Sequence, residues 1–109
     1  MRRYDVGDRV RVFVNFFNLS GVAAEPTGVA AAFKDPSLNT TVVDPGNIIH
    51  DLSNDPATGQ PYVGRYYIDI TFDEGSETVP WWVRFEGTGS VVNASEAALW
   101  VKPPQVVIP

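Results

Sequence analysis

The segment VGRYYIDITF, residues 63–72, decides the fold of this chain. Its side chains fall into two alternating sets. One set is Tyr66, Ile68, Ile70 and Phe72, and the other is Tyr67, Asp69 and Thr71. Successive side chains of a β-strand point to opposite faces, so this period of two predicts a strand with one buried face.

The same alternation extends outward from this segment in both directions. We predict further strands at 8–18, 28–34, 39–43, 47–52, 81–87 and 96–102, with Gly- and Pro-rich turns between them. The alanine-rich stretch 90–99 is the one place where a helical turn fits. Seven short strands at this spacing predict an all-β fold, either a β-sandwich or a small barrel. Of these we expect an immunoglobulin-like antiparallel β-sandwich of about seven strands. We assign residues 1–103 to this single domain and 104–109 to an apolar, proline-bounded C-terminal tail.

Composition excludes several classes of function. The chain has 109 residues, no cysteine and a formal net charge of −5, so disulfides and thiolate metal sites are absent and nucleic-acid binding is not expected. Four arginines near the start (Arg2, Arg3, Arg9 and Arg11) are interpreted as a solvated strand end, with an anionic contact as the alternative. We expect no signal peptide, since the first residues lack an apolar core, and no membrane span. The lack of cysteine favours assembly in a reducing cytosol.

No group of polar residues forms a recognisable active site. His50 beside Asp51 lacks a serine in a nucleophile-elbow sequence, and one histidine does not build a typical metal site. The acidic segment 73–77 is interpreted as an exposed turn rather than a glycosidase pair. The segment 51–55 faintly resembles a calcium loop but lacks the closing bidentate carboxylate, so a solvated turn is preferred. We predict no catalytic residue, no metal and no cofactor.

The aromatic residues are the informative surface feature. Alternation places Trp81 inward and Trp82 outward, and it places Leu99 and Val101 inward and Trp100 outward. Tryptophan dominates interface hot spots, which makes outward aromatics candidates for partner contact. The candidate contact residues are Phe13, Phe17, Trp82, Trp100, Val106, Val107 and Ile108, the last three because the apolar tail is suited to adding a strand to a neighbour. The alternative is that the tryptophans cover a sheet edge or pack under a loop of their own chain.

Tyr66 has a separate structural interpretation. The step Gly64-Arg65-Tyr66 follows a turn-rich loop and opens the strongest strand, as in the tyrosine corner of Greek-key sandwiches. In that motif the phenol bonds back to the upstream backbone. The alternative is a plain aromatic strand residue.

Three stretches together resemble a known family: YDVGDRVRV at 4–12, GRYYIDI at 64–70 and WVRFEGTG at 82–89. Their order and spacing are similar to those of small immunoglobulin-like proteins encoded among the head and neck genes of tailed bacteriophages. The resemblance covers about residues 4–103, although residues 76–79 lengthen the acidic loop relative to the simplest pattern. It implies a virion structural role, in capsid decoration or at the head–tail junction, and no catalytic residues.

We therefore expect a non-enzymatic virion assembly protein that is made in the host cytoplasm and works by protein–protein contact. Its expected partners are other capsid, neck or tail proteins and further copies of itself, with neither nucleic acid nor membrane. The alternative is a carbohydrate-binding or adhesion module whose outward tryptophans stack on sugar rings.

Overall fold

The computed structural model describes residues 3–92 and 94–104. Its regular structure is eight β-strands and one 3-10 turn, Pro45–Asn47. The strands are β1 (Arg3–Asp5), β2 (Arg9–Asn15), β3 (Gly28–Lys34), β4 (Thr40–Val42), β5 (Ile49–His50), β6 (Arg65–Thr71), β7 (Trp81–Thr88) and β8 (Ala94–Lys102). The predicted all-β fold is confirmed. No helix among the described residues is long and apolar enough to span a bilayer.

The strands form two sheets. One has five strands in the order β1-β8-β7-β3-β4, and the other has three in the order β2-β6-β5. The long pairs are antiparallel: Val12 lies opposite Ile68 and Phe33 lies opposite Val83. Paired residues share a face, so each pairing aligns the inward rows of neighbouring strands.

β1 is an eighth strand that the sequence did not predict, and it pairs with β8 in parallel, with Tyr4 opposite Val101. The expectation of a wholly antiparallel arrangement is therefore wrong at this edge. After β1 the chain turns at Gly7, whose φ of 97° suits glycine, and enters β2 of the other sheet. β1 and β2 lie in different sheets and do not pair as a hairpin. The direction of β1 relative to β8 is therefore not fixed by a hairpin turn.

Apart from shifts of one or two residues at other strand ends, three predictions differ from the structure. β2 ends at Asn15 rather than 18, because the backbone beyond it bonds to two other segments: the N–H of Phe16 donates to Gly64, and Phe17 bridges to Ala23. The predicted strand 47–52 shortens to the two residues of β5 after the 3-10 turn. The stretch 90–99 holds no helical turn among its described residues. From Ala94 onward it is strand, held by pairing with β7.

The core lies between the two sheets and is built from the predicted inward rows. Its most buried side chains are Phe72, Ile68, Ile70, Val83 and Val101. Trp81 is 2% exposed, as alternation predicts, whereas its neighbour Trp82 is 43% exposed. Burial of this apolar surface is the main contribution that stabilises the packing of the two sheets.

Trp81 also fixes the loop that precedes it. Its indole N–H donates to the backbone carbonyl of Glu74 at 3.0 Å, and its ring meets Phe72 edge-on at 5.1 Å between centroids. A buried indole needs a hydrogen-bond acceptor, and the carbonyl supplies it. One side chain thus joins the start of β7, the 73–80 loop and the core.

Candidate interaction surfaces

The outer face of the three-stranded sheet carries a stack of arginines and aromatic rings that includes Phe13. The guanidinium carbon of Arg65 lies 4.2 Å from the centre of the Phe13 ring and 4.3 Å from that of Tyr62. Arg11 lies 4.0 Å over Tyr67, and Tyr67 packs against Phe13 with 5.5 Å between centroids. Such contacts add cation–π stabilisation along the face.

Two carboxylates complete this stack. Asp69 accepts from Arg11 at 2.9 Å, and that bond holds the pKa of Asp69 below its ordinary value. Asp51 Oδ2 lies 3.1 Å from Arg65 Nε as an ion pair, but the geometry is not that of a hydrogen bond. Among the described residues this buried Nε has no hydrogen-bond partner. The hydroxyl and backbone N–H of Ser53 are the main causes of the lowered pKa of Asp51. Phe13 is thus partly covered by its own chain, although 42% of it stays exposed.

Phe17 belongs to a different surface, the apolar patch, which we define as Phe17, Leu19, Val22 and Val92. These residues lie on two loops at one end of the sandwich, where β2 leads to β3 and β7 leads to β8. The N–H of Val92 donates to the Phe17 carbonyl at 2.8 Å and joins the loops. Leu19 is 94% exposed, and the other three are between 43% and 60% exposed. Exposed apolar clusters of this kind mark interaction sites.

The loop that presents Leu19 is held in shape by Asn18. Its side-chain oxygen accepts from the backbone N–H groups of Ser20 and Val22 at 2.9 and 3.1 Å. The backbone N–H of Gly21 donates to the Asn18 carbonyl, and the backbone N–H of Asn18 donates to the Val22 carbonyl. Leu19 therefore projects from a hydrogen-bonded turn, and little ordering is needed when a partner binds it.

Neither loop carries charge near the patch. Residues 16–24 and 87–95 contain no Asp, Glu, Lys, Arg or His, in a chain that has 21 charged residues (8 basic and 13 acidic). A charge would have to be desolvated under a partner at a cost in free energy. Binding of a partner to the apolar patch does not require the desolvation of a charged side chain from these stretches.

Trp82 lies on a third surface, the outer face of the five-stranded sheet. Beside it a groove of about 370 Å³ opens over β3 and β7. We call this the sheet groove; its lining includes Ala32, Lys34, Thr40, Trp82, Arg84 and Glu96. A smaller depression beside Ala30 and Val42 shares Ala32 and Arg84 with it, so the two are continuous.

Trp100 is on the same outer face as Trp82 but is half-buried. It lies opposite Arg3, because β8 pairs with β1 at this position. Trp100 does not line the sheet groove. The structure therefore does not bring the four described aromatic candidates together. The tail candidates Val106, Val107 and Ile108 lie outside the described residues.

Tyr66 takes part in a hydrogen-bond cluster in place of the predicted tyrosine corner. Its phenol donates to Glu25 Oε2 at 2.9 Å, a side chain rather than the upstream backbone, so that interpretation is corrected. Glu25 Oε1 also accepts from the Gly64 N–H at 2.6 Å and lies 3.0 Å from His50 Nε2. The His50 and Tyr66 rings stack at 4.6 Å.

The cluster shifts two pKa values. Partial burial opposes ionisation of Glu25, but the bonds from Gly64, Tyr66 and His50 outweigh it, and the pKa of Glu25 is lowered. Burial and the nearby carboxylate raise the pKa of Tyr66 to about 12. Sequence reasoning missed Glu25 because its partners come from β5, β6 and the loop before β6, far along the chain.

These contacts tie Glu25, from the loop between β2 and β3, to β5, β6 and the loop before β6. Glu25 orients His50, but no serine, threonine or lysine side chain is bonded to that imidazole among the described contacts. Within the described ranges no three His, Asp or Glu side chains are grouped to hold a metal ion. Comparison with known proteins found no matching family model, no curated relative and no similar solved structure.

Proposed function

We propose that this chain is a non-enzymatic assembly protein of a tailed bacteriophage particle that binds a neighbouring virion protein through its apolar patch. The observation that carries the proposal is the cluster of Phe17, Leu19, Val22 and Val92 on two loop stretches, 16–24 and 87–95, that contain no charged residue. The bacteriophage context rests on the sequence resemblance alone. The patch supports the binding role.

An immunoglobulin-like fold is part of the proposal, and the strand order supports it. In such domains strands B, E and D form one sheet, and C, F and G form the other. Here β2, β6 and β5 take the places of B, E and D, and β3, β7 and β8 those of C, F and G. β4 extends the second sheet beyond β3, as the additional strands of variable-type domains do.

The position of the patch fits this assignment. Its two loops correspond to the B–C and F–G loops, which lie together at one end of an immunoglobulin sandwich and bind partners in variable domains. Loops held by a rigid scaffold are common binding elements. A partner with an apolar, uncharged surface complements the patch, and a net charge of −5 disfavours nucleic acid.

The test is to purify phage particles from a host that produces this chain and to measure whether the chain is part of them. We expect the chain to sediment with the particles at a fixed ratio to the major capsid protein, measured by quantitative mass spectrometry. Its absence from washed particles would contradict the proposal.

A pair of variants tests the patch itself. Leu19→Asp introduces a charge into the patch, and we expect it to lower incorporation into particles by about tenfold or more. Leu38→Asp is the matched control: Leu38 is 66% exposed at the opposite end of the sandwich, and its φ of 68° is one that aspartate tolerates. Both variants should fold, because neither leucine is buried. Equal incorporation of the two would overturn the role of the patch.

A further inference from the structure

We propose that the sheet groove is a binding site for a neutral oligosaccharide, with Trp82 as the platform on which a pyranose ring stacks. This site is separate from the apolar patch, which lies on the loops at the end of the sandwich. The shape of the groove, the exposed indole and the balance of charge around it favour a sugar.

The shape comes from small residues in the middle of the sheet. Ala30 and Ala32 are consecutive outward positions of β3, and they lie opposite Glu86 and Arg84 of β7. On the other side Ala32 lies opposite Val42 of β4. Longer side chains thus stand on both sides of an alanine floor, which gives a channel on a face that would otherwise be flat.

Trp82 supplies an apolar plane at one end of this channel. It lies opposite Lys34 of β3 and Ala98 of β8, and 43% of it is exposed. A pyranose has a face of C–H groups and a rim of hydroxyls. Such a molecule needs a flat apolar surface with hydrogen-bonding groups at its border, as small-molecule sites in general provide.

The border of the groove is polar, prearranged and balanced in charge. Arg84 Nε donates to Glu86 at 2.9 Å, and Arg84 Nη1 lies 3.5 Å from Glu96. These two carboxylates hold the guanidinium in place, while Lys34 and Thr40 border the groove at β3 and β4. Two cations, Lys34 and Arg84, and two carboxylates, Glu96 in the groove and Glu86 in the depression continuous with it, balance in charge, so the site favours an uncharged ligand.

A peptide is a poorer fit to this surface. Extended peptides bind sheets by adding to an edge, where unpaired backbone groups give the affinity. The groove lies on the face of the sheet, over β3 and β7, which both have strands on either side. On that face only side chains are available for hydrogen bonding with a ligand. The hydroxyl groups of a sugar ring can bond to these side chains better than the backbone of an extended peptide can.

The test is a titration of the ¹⁵N-labelled full chain with cellohexaose and, separately, with chitohexaose, followed by NMR. The three tryptophans give three indole N–H signals. We expect one of these sugars to shift the Trp82 indole signal with a dissociation constant of about 1 mM or lower. The Trp81 signal should stay in place, since that indole is buried and bonded to Glu74.

Two variants and one control complete the design. Trp82→Ala should weaken binding by about tenfold or more, and Ala32→Leu should do the same by filling the floor while leaving the indole in place. Trp100→Ala, on the same face but outside the groove, should keep the affinity of the unmodified chain. Amide spectra of each variant check the fold.

Three outcomes would overturn the proposal. One is that neither sugar shifts the Trp82 signal. Another is that Trp82→Ala and Trp100→Ala bind equally. The last is that the Trp82 signal moves with protein concentration alone, which would place a second copy of the chain on this face.

Discussion

The indole N–H of Trp81 donates a 3.0 Å hydrogen bond to the backbone carbonyl of Glu74, seven residues upstream. An aromatic side chain that bonds back to the upstream backbone is the role that the sequence suggested for Tyr66. In the structure Trp81, the first residue of β7, makes this bond to the upstream backbone instead. In the immunoglobulin-like fold that we propose, β7 would correspond to strand F, near whose start the tyrosine corner lies. Trp81 therefore connects the loop and the core where that motif would.

We predict that Trp81→Phe destabilises the protein by about 2 kcal/mol. The smaller ring leaves space beside Phe33 and Phe72, and the Glu74 carbonyl loses its donor. Equilibrium unfolding in urea measures the effect as a lower midpoint at an unchanged slope.

The neighbouring tryptophan is the control for this prediction. Trp82→Phe changes the same residue type one position along the strand, on the exposed face, and should cost about 0.5 kcal/mol or less. Equal losses from the two variants would show that the Trp81–Glu74 bond and the packing around it contribute nothing specific.

Tyr66 gives a prediction that depends on pH. Its phenol donates to Glu25, and its pKa is raised to about 12 from an ordinary value of 10. Below pH 10 the phenol is neutral in both the folded and the unfolded chain, so its contribution to stability is fully present. Between pH 10 and 12 the unfolded chain releases this proton while the folded chain keeps it, and the free energy of unfolding falls.

Tyr66→Phe should therefore cost about 1 kcal/mol at neutral pH and should reduce the decline of stability between pH 10 and 12. Urea unfolding across this range measures both effects. Tyr67→Phe is the control, because it leaves the Tyr66–Glu25 bond intact and should keep the alkaline decline of the unmodified protein. An identical decline in the Tyr66 variant would show that the phenol does not donate to Glu25 in solution.

Local patterns predicted the parts of the fold that depend on one strand at a time. Period-two alternation was enough to place Ile68 and Ile70 inward and to separate Trp81 from Trp82. It failed for β1, where three residues with one inward side chain, Tyr4, are too short for a period to be read. β1 and β8 are far apart in the sequence, so no local sequence pattern predicts that they pair.

The candidate surfaces were less predictable for a related reason. Leu19 and Val22 lie in a loop of turn-forming residues, and their exposure follows from the Asn18 hydrogen bonds rather than from hydropathy. Ala94–Ala98 has the composition of a helix, but pairing with β7 overrides that weak preference. Phe13 was predicted outward correctly, yet its cover comes from Arg65 on another strand.

Gly64 gives a prediction about how the loop before β6 closes on the sandwich. Its φ is 70°, and a Cβ there would collide with the Ala24 carbonyl oxygen and lie 2.9 Å from that of Phe16. Gly21 has a similar φ of 78° but open space around it. An alanine at this position would therefore introduce backbone strain without a steric clash. We predict that Gly21→Ala costs about 1–2 kcal/mol from strain alone. Gly64→Ala should cost about 1–3 kcal/mol more, because two backbone segments must shift. Urea midpoints of the two variants measure the difference, and equal losses would show that the chain does not approach Gly64 this closely.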